Sequence, residues 1–451
     1  MIKQLKKLTI NIIAGANVAT VIFMLITGYS DRLDPVRFPL SSWLGMVFPV
    51  FLIINLLFLL FWLCFKWRKI WIPVVGFLLA YIPISIYMPL NPPQEVPDNC
   101  IKVLSYNVCS YGGNYKYEDA FERILDYFGQ EQADIVCLQE DVDTWRQYVF
   151  NKYHKIYPYN DTTVLAHTEK SYNCLGIHTR YPIIRKERIA YESMANGSMA
   201  YFLDRGTDTL LVINNHLESS HLTKEDRSRY EDILRGGVKR DTMRAESINI
   251  ISKLTEGATM RAPAAEAVRH YIDEHNQYPV IVCGDFNDTP ISYARRTIAE
   301  GLTDCFAKSG YGIGLSYNRK GFWVRIDHIL RRDPECGHRL AGKRDQEDAG
   351  YGRSPPGGRS FVLQCTLDRC NFAECQFLRH VNESADWAYG QFHRKSVIQI
   401  HEFGLPLYQG YSAFHALQLS FRINSIVGSL NGHQPCLLST FMRWLYAPCT
   451  V

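Results

Sequence analysis

Val280-Ile281-Val282-Cys283-Gly284-Asp285-Phe286-Asn287-Asp288-Thr289-Pro290 is the stretch that decides how this chain is read. Four apolar residues in a row suit a strand covered on both faces. Gly284 permits a turn or a close approach of the backbone to a neighbour. In an extended chain Asp285 and Asn287 project to the same side, because strand side chains repeat every second residue. A carboxylate and a neutral amide then share one small volume. That pairing suits a site that places water against a phosphate held by a hard cation. The plainer alternative is a strand that ends in an Asx turn.

Similar apolar runs precede and follow this one. Residues 101–108 read as a strand, and 134–140 as another that ends in Gln139-Glu140. Further strands are expected at 173–179, 199–204, 209–216, 278–286 and 322–330. A helix is expected over 118–130, where Phe121, Ile124, Leu125 and Phe128 fall at i, i+3, i+4 and i+7. The stretch between His216 and Tyr278 is charged, largely helical in pattern and sparse in apolar positions, so it is expected at the rim. The result is a layered α/β body. Asn107, Glu140, His216 and Asp285 each lie at or near the far end of an apolar strand. Singly, such residues are ordinary: Asn107 could cap a turn and His216 could be a satisfied core histidine. Four chemically compatible groups in equivalent places point to a common site.

The segments Leu104-Ser-Tyr-Asn107-Val, Val136-Cys-Leu-Gln139-Glu140, Asn214-Asn-His216-Leu, Gly284-Asp285-Phe-Asn287 and Arg325-Ile-Asp327-His resemble the endonuclease/exonuclease/phosphatase (DNase I-like) superfamily, in a membrane-anchored bacterial arrangement. The resemblance covers about residues 101–330. It implies an α/β (α+β) fold, a four-layer sandwich of two packed mixed β-sheets flanked by helices. It also implies roles. Glu140 is the expected ligand of Mg2+, with Mn2+ as the alternative ion, and Asn107 assists at the metal and orients Glu140. Magnesium takes only one or two protein carboxylates and keeps most of its waters. Asp285 would activate or align the attacking water, and Asn287 would position water and phosphate. His216 would donate to a phosphate oxygen. Asp327 would orient a second, catalytic histidine; His328, beside it, would face the other side of its strand. The reaction implied is metal-assisted, in-line attack of water on a phosphoester, by a phosphodiesterase, nuclease or phosphatase. Ser105, Asn173 and Asn214 are candidates for supporting hydrogen bonds.

Charge narrows the substrate. Residues 100–330 carry 28 basic and 31 acidic side chains, a net of −3, so the body has no basic surplus to grip long nucleic acid. Phospholipid headgroups, small phosphodiesters and scavenged nucleic acid remain as substrates. Seven of the 13 cysteines lie before Leu330, widely spaced, which suits buried single thiols and no disulfide framework. Asn196-Gly-Ser fits a glycosylation acceptor, but a short turn is the preferred reading.

Residues 1–90 are a different material. Apolar segments at about 8–29, 43–65 and 70–90 each approach the ~20 residues that cross a bilayer as a helix. They are expected to form three transmembrane helices preceding the body, with a buried soluble hairpin as the alternative. Asn11 and Asn17 interrupt the first. Lys3, Lys6 and Lys7 precede the first span, and Lys66, Arg68 and Lys69 separate the second from the third; both clusters are expected in the cytoplasm. The chain is then a multi-pass protein of the cell membrane whose body is extracytoplasmic, despite Arg32 and Arg37 in the first loop. Residues 91–99, Asn91-Pro-Pro-Gln-Glu-Val-Pro-Asp98 and its neighbour, read as a stiff linker.

Residues 331–451 break the pattern. Arginine outnumbers lysine 11 to 2 there, against 17 to 11 in residues 100–330. No Asp-His pair follows Leu330, although the resemblance calls for one to supply the histidine that Asp327 orients. Cys365, Cys370, Cys375 and His380 lack the usual zinc spacing. The expectation is an atypical tail, read out of frame after Leu330, with an added domain as the alternative. The alternative function follows from the same gap: a catalytically inactive membrane protein that keeps the fold.

Overall fold

The computed structural model describes residues 2–92, 101–112, 120–141, 151–167, 172–206, 208–234, 240–319 and 322–332. All fall within one compact unit. Of the expected tail only Arg331 and Arg332 are described; its cysteines and most of the linker lie outside the described residues.

The helices, in chain order, are α1 (Ile2–Gly28), α2 (Ser41–Phe65), α3 (Trp71–Leu79), α4 (Tyr81–Tyr87), α5 (Ala120–Glu131), α6 (Lys224–Leu234), α7 (Arg240–Glu274), α8 (Tyr293–Ile298) and α9 (Cys305–Ser309). The strands are β1 (Val103–Asn107), β2 (Ile135–Asp141), β3 (Tyr159–His167), β4 (Tyr172–Thr179), β5 (Ile183–Ile189), β6 (Gly197–Asp204), β7 (Thr209–His216), β8 (Val280–Asp285), β9 (Thr303–Asp304), β10 (Tyr317–Arg319), β11 (Phe322–Val324) and β12 (Asp327–Arg332). One sheet has the order β1-β2-β4-β3 and the other β5-β6-β7-β8-β12-β9; β10 and β11 form a separate hairpin. Both sheets are mixed, since β1 with β2 and β7 with β8 are parallel and the remaining pairs antiparallel.

Strand alternation builds the four layers. Val103, Ile135, Cys137, Leu175 and Ile177 face Tyr201, Val212, Ile281, Cys283 and Ile329 across the space between the sheets. The alternate residues Leu104, Val136 and Leu138 meet the stripe Phe121, Ile124, Leu125 and Phe128 of α5 on one outer face. On the other outer face Leu211, Ile213, Val280, Val282 and Leu330 meet Ala264, Ala265, Val268 and Ile272 of α7. Strands covered on both faces have to be apolar at every position, as the runs around Val282 are. Burying each such aliphatic side chain contributes roughly 1.5–3 kcal/mol.

Two expectations need correction here. The stretch between His216 and Tyr278 is helical, but the second half of α7 packs on the outer face of the second sheet as one of the four layers and is not a rim. Its buried face combines Ala264 and Ala265 with only Val268 and Ile272, so helix and sheet approach closely without a large apolar stripe in the sequence. The strand expected over 322–330 is two strands in different sheets. Arg325 separates them: it is fully buried, stacks on the Phe306 ring at 4.1 Å and donates to the Ile86 carbonyl at 2.6 Å. Ser316 Oγ accepts from the amides of Ile326 and Asp327 at the same break.

At the N-terminus, α1 and α2 are long and apolar enough to cross a membrane; the third candidate is a pair, Trp67–Leu79 and Tyr81–Tyr87, bent by 64°. The straight third span expected over 70–90 is thus broken at Ala80. Pro83 enters the first turn of α4, where a missing N–H is tolerated, but its ring would clash with a continuous preceding helix. The asparagine that interrupts the first span has a partner. Asn17 Nδ2 donates to Asn55 Oδ1 at 3.0 Å, and Trp62 Nε1 donates to Asn17 Oδ1 at 2.9 Å. Polar groups between apolar helices act as glue worth roughly 1 kcal/mol.

The body sits on one end of these helices. Gly45 of α2 packs against the backbone after β8 so closely that a Cβ there would lie 2.0 Å from the Ile291 oxygen. Asn91 Nδ2 donates to the Ala307 and Gly310 carbonyls at 3.1 and 3.0 Å, and Gly312 N donates to the Pro89 oxygen at 2.8 Å. The loop that carries the Gly284–Pro290 stretch is therefore braced directly by α2.

Candidate active site

The register of the second sheet aligns a row of residues. Gly197 pairs with His216, His216 with Asp285, and Asp285 with Asp327. These side chains share the face that carries Val212, Ile281, Cys283 and Ile329, so they point between the sheets. On the first sheet Asn107 follows Val103 at even spacing and points into the same space. The polar residues thus meet at one end of the inter-sheet core, just past its last apolar layer.

Asn107 is the hub. Its Nδ2 donates to Glu140 Oε1 at 3.0 Å and to Asp285 Oδ2 at 3.1 Å. Its Oδ1 accepts from the Cys109 amide at 3.0 Å, which fixes the side chain from behind. The chain then runs through three left-handed residues, Cys109, Ser110 and Tyr111.

Glu140 reaches the site through a bulge. The pairing of β2 with β4 slips between Gln139 and Asp141, and Glu140 takes a φ of 53°. A bulge re-aims one side chain without ending the strand. Its neighbours lock it on both sides. Gln139 Nε2 donates to Asn214 Oδ1 at 2.7 Å, and Asn214 Nδ2 donates to the Leu138 and Gly176 carbonyls at 3.0 Å each, tying the two sheets together. Asp141 accepts from Tyr111 Oη at 2.9 Å and from Thr162 Oγ1 at 2.8 Å.

Asp285 and Asn287 meet both readings of their motif. Asp285 Oδ1 accepts from the Asn287 amide at 2.9 Å, so the strand does end in an Asx turn, and Asn287 takes a φ of 51°. The turn also presents the carboxylate to Asn107. Asn287 Nδ2 donates to the Leu217 carbonyl at 2.8 Å, and Leu217 N donates to the Asp285 carbonyl at 3.0 Å. His216 Nε2 lies 3.9 Å from Glu140 Oε1, and His216 Nδ1 is buried without a hydrogen-bond partner among the described residues. Asp327 stands opposite Asp285 in the row. His328 faces away, with Nε2 3.3 Å from the Asp288 carbonyl, and burial, then the charge of Arg325, pushes its pKa down to about 3.

A cleft of about 260 Å³ opens beside Asn107, Glu140, Asp285 and Asn287. Sequence reasoning missed four residues in its walls, Arg261, Arg227, Ser42 and Met46. Arg261, fully buried on α7, donates from Nε to Asp288 Oδ2 at 3.0 Å and from a terminal nitrogen to the Glu218 carbonyl at 2.9 Å. Burial pushes the Asp288 carboxyl above the usual carboxylate range, and Arg261 holds it back. The one available signal was a lone arginine in the small-residue run Gly257-Ala-Thr-Met-Arg261-Ala-Pro-Ala-Ala. Arg227 donates to Tyr317 Oη at 3.2 Å at the cleft wall. Ser42 and Met46 of α2 complete the wall, and no local pattern could reveal that.

Asn173 and Asn196 are structural. Asn173 Nδ2 donates to Asn196 Oδ1 at 3.0 Å, and Asn196 Nδ2 to the Leu217 carbonyl at 2.7 Å. Asn196 is thus buried in a turn and unavailable as a glycosylation acceptor.

The donor chemistry suits a hydrated hard cation. Two carboxylates share one amide, and the Glu140 side chain is 36% exposed, toward water. Among the described residues no group of three or more His, Cys, Asp or Glu is arranged to enclose a metal, so a closed zinc-type site is not formed by them. Magnesium needs only one or two such carboxylates.

Comparison with known proteins agrees with this geometry. Residues 104–342 match the model of the Endonuclease/Exonuclease/phosphatase family, and residues 10–87 match a Domain of unknown function (DUF8431). No curated protein matches the chain. Solved structures to which the chain is similar include D. rerio TDP2 complexed with single strand DNA product (16% identity, 51% of this chain and 82% of that one, TM-score 0.36). Sphingomyelinase C from Streptomyces griseocarneus (15%, 51% and 82%, TM-score 0.37) and the human Nocturnin catalytic domain with bound sulfate anion (17%, 53% and 84%, TM-score 0.34) are similar to the same degree. Likeness at that level carries no inference about substrate. The family match spans more than half of the chain, and the protein belongs to the endonuclease/exonuclease/phosphatase family, hydrolases of phosphoester bonds.

Proposed function

We propose that this protein is a membrane-anchored, Mg2+-dependent phosphoesterase whose catalytic body is extracytoplasmic. One observation carries the reading: a single amide, Asn107 Nδ2, holds Glu140 and Asp285 together at the open end of the inter-sheet core. Glu140 is the carboxylate that holds the ion, and a bound Mg2+ neutralises charge on the phosphoryl oxygens. Asn107 orients Glu140. Each Asp285 oxygen spends one lone pair on a fixed donor and keeps another with which to align the attacking water and take its proton. Asn287, pinned to the Leu217 carbonyl, positions the water and the phosphate, and His216 Nε2 donates to a phosphoryl oxygen. Asp327 would steady a second imidazole, the histidine for which no Asp-His pair follows Leu330 in this chain.

Orientation rests on charge. Lys3, Lys6, Lys7, Lys66, Arg68 and Lys69 cluster at one end of α1 and α2, and the body is braced at the other. Positive clusters favour the cytoplasm. Arg32 and Arg37 lie at the body's end, but Arg37 is paired with Asp34 at 3.5 Å.

The test is hydrolysis of bis-p-nitrophenyl phosphate by the full chain in detergent. Turnover should need Mg2+ or Mn2+ and fall at least about 10²-fold in Glu140→Gln. Equal turnover in EDTA would overturn the reading. A second reading, an inactive member that keeps the fold, is favoured by the absence of an Asp-His pair after Leu330; no turnover with intact folding selects it. We also propose that the tail is read out of frame. β12 stays in register with β8 through Arg332 and Val280, so the departure would lie beyond Arg332. An Asp-His codon pair in another frame of the gene supports this, and its absence from both other frames removes it.

A further inference from the structure

The wall supplied by α2 bears on the substrate. Ser42 and Met46 lie one turn apart on α2 and so share a face; both line the cleft that contains Glu140 and Asp285. Gly45, between them, fixes the approach, because its contact with the Ile291 oxygen leaves no room for a Cβ. α2 has the length and apolarity of a membrane span, and these residues belong to its first two turns. A span's end lies at the level of lipid headgroups. The catalytic cleft is therefore open at the bilayer surface, with a membrane helix as one side.

The cleft is amphipathic. Glu140, Asp285 and Arg227 line it with charge, while Met46, Leu222, Leu254, Val324 and Ile326 line it with apolar surface. Large apolar residues are exposed beside those walls: Phe38 and Leu40 just before α2, and Trp323 next to Val324. Exposed aromatic and aliphatic side chains at a membrane interface find an apolar medium there. The same body has a net charge of −3 over residues 100–330, so its composition offers no basic surplus for a nucleic-acid strand.

Building on the phosphoesterase reading above, we propose that the substrate is the phosphoester of a membrane lipid, drawn from the leaflet at which α1 ends and α2 begins, and that Met46 is a specificity-determining contact to its apolar side. In the reaction the water oxygen bonds to phosphorus as one phosphorus–oxygen ester bond breaks. The water gives one proton to Asp285 and keeps the other on the new phosphate oxygen; the departing alkoxide takes a proton from bulk water, to which Asp285 releases its own in turn. One product stays in the bilayer and the other leaves to water.

The test uses the full chain reconstituted with Mg2+ in vesicles of phosphatidylcholine, phosphatidylethanolamine and phosphatidylglycerol. Lipid products are followed by mass spectrometry, with bis-p-nitrophenyl phosphate measured in parallel. Lipid turnover is expected, and Met46→Glu should lower the ratio of lipid to soluble turnover at least about tenfold, while Met46→Leu restores it. A variant that merely misfolds lowers both rates and leaves the ratio unchanged, which counts against the role of Met46. Soluble turnover without any lipid product overturns the substrate while leaving the phosphoesterase reading intact; turnover of neither overturns both. A readout independent of activity is photolabelling by phosphatidylcholine bearing a diazirine on its headgroup. Label on residues 219–222, which line the same cleft on the body, is expected, and label confined to residues 1–90 would contradict the proposal.

Discussion

Gly284→Ala tests the fold and the site together. Gly284 lies where β8 passes Asn215 of β7, with φ at +133°, a region almost closed to residues with a Cβ. A Cβ built there sits 1.9 Å from the Asn215 oxygen and 2.7 Å from its nitrogen. Both are backbone atoms in a parallel ladder, so no side chain can swing away. Reaching ordinary contact requires the strands to separate by about 1.5 Å at this rung. The next rung is His216 opposite Asp285, so the displacement falls on the site. The disfavoured backbone alone costs of order 1–3 kcal/mol, and the broken packing should bring the total to at least about 3 kcal/mol. For a body of this size that lowers the melting temperature by roughly 6–12 °C. Misplacing reacting groups by about 1 Å costs about 10²-fold in rate. Gly301→Ala is the control: its φ is +69° but nothing lies within 4 Å of the added Cβ, so only about 1 kcal/mol is expected. Near-ultraviolet circular dichroism in detergent and phosphodiester turnover read the two effects. Equal melting shifts for both variants would refute the reasoning, because the close approach to Asn215 would then contribute nothing.

Three further outcomes are expected. Arg261→Met strands the buried Asp288 carboxylate and should destabilise the body by about 3–5 kcal/mol near pH 7. The loss should shrink toward pH 4 as Asp288 takes up a proton, and adding Asp288→Leu should recover most of it; equal denaturant midpoints at both pH values would argue against the pairing. His178 is buried against the Tyr153 ring, and burial pushes its pKa down to about 3. Below about pH 6.5 the unfolded chain binds a proton that the folded one refuses, so stability should fall by up to about 1.4 kcal/mol per pH unit toward pH 3; His178→Phe should flatten that slope in thermal melts. Asp226 is lowered to about 2: burial opposes this, but the hydrogen bonds from Lys253 and Thr223 outweigh it. Its contribution is present above about pH 4 and lost toward pH 2, so Lys253→Met should destabilise the body at pH 7 and leave acid unfolding near pH 2 unchanged.

The strands that the sequence makes legible are those covered on both faces. β1, β2, β7 and β8 read as continuous apolar runs because each lies between two layers. β3 and β5 escape because, unlike the edge strand β1, they are largely polar. β5 is Ile-Ile-Arg-Lys-Glu-Arg-Ile, mostly exposed, and its charges keep an open edge from pairing with another chain. β3 is similarly polar, Tyr-Asn-Asp-Thr-Thr-Val-Leu-Ala-His, at the edge of the other sheet. The break at Arg325 was hidden because it depends on Phe306 and Ile86, far away in the chain. In the site, Asn107, Glu140, His216, Asp285 and Asp327 stand together because strand ends on two inner faces meet by register. The bulge that aims Glu140 leaves no mark in Leu138-Gln139-Glu140-Asp141. Contacts made only by tertiary packing, such as Arg261 with Asp288 and α2 with the cleft, leave none either.

The central claim is that residues distant in the chain act as one unit on one phosphoester, and a double-mutant cycle on Glu140 and Asp285 tests it most directly. Glu140→Ala and Asp285→Ala should each lower Mg2+-dependent kcat/KM for bis-p-nitrophenyl phosphate by about 10²-fold or more, and the double variant should be within about tenfold of the worse single one. Losses that multiply, or a single variant that retains its turnover, would mean that the two carboxylates held by Asn107 do not serve a common reaction.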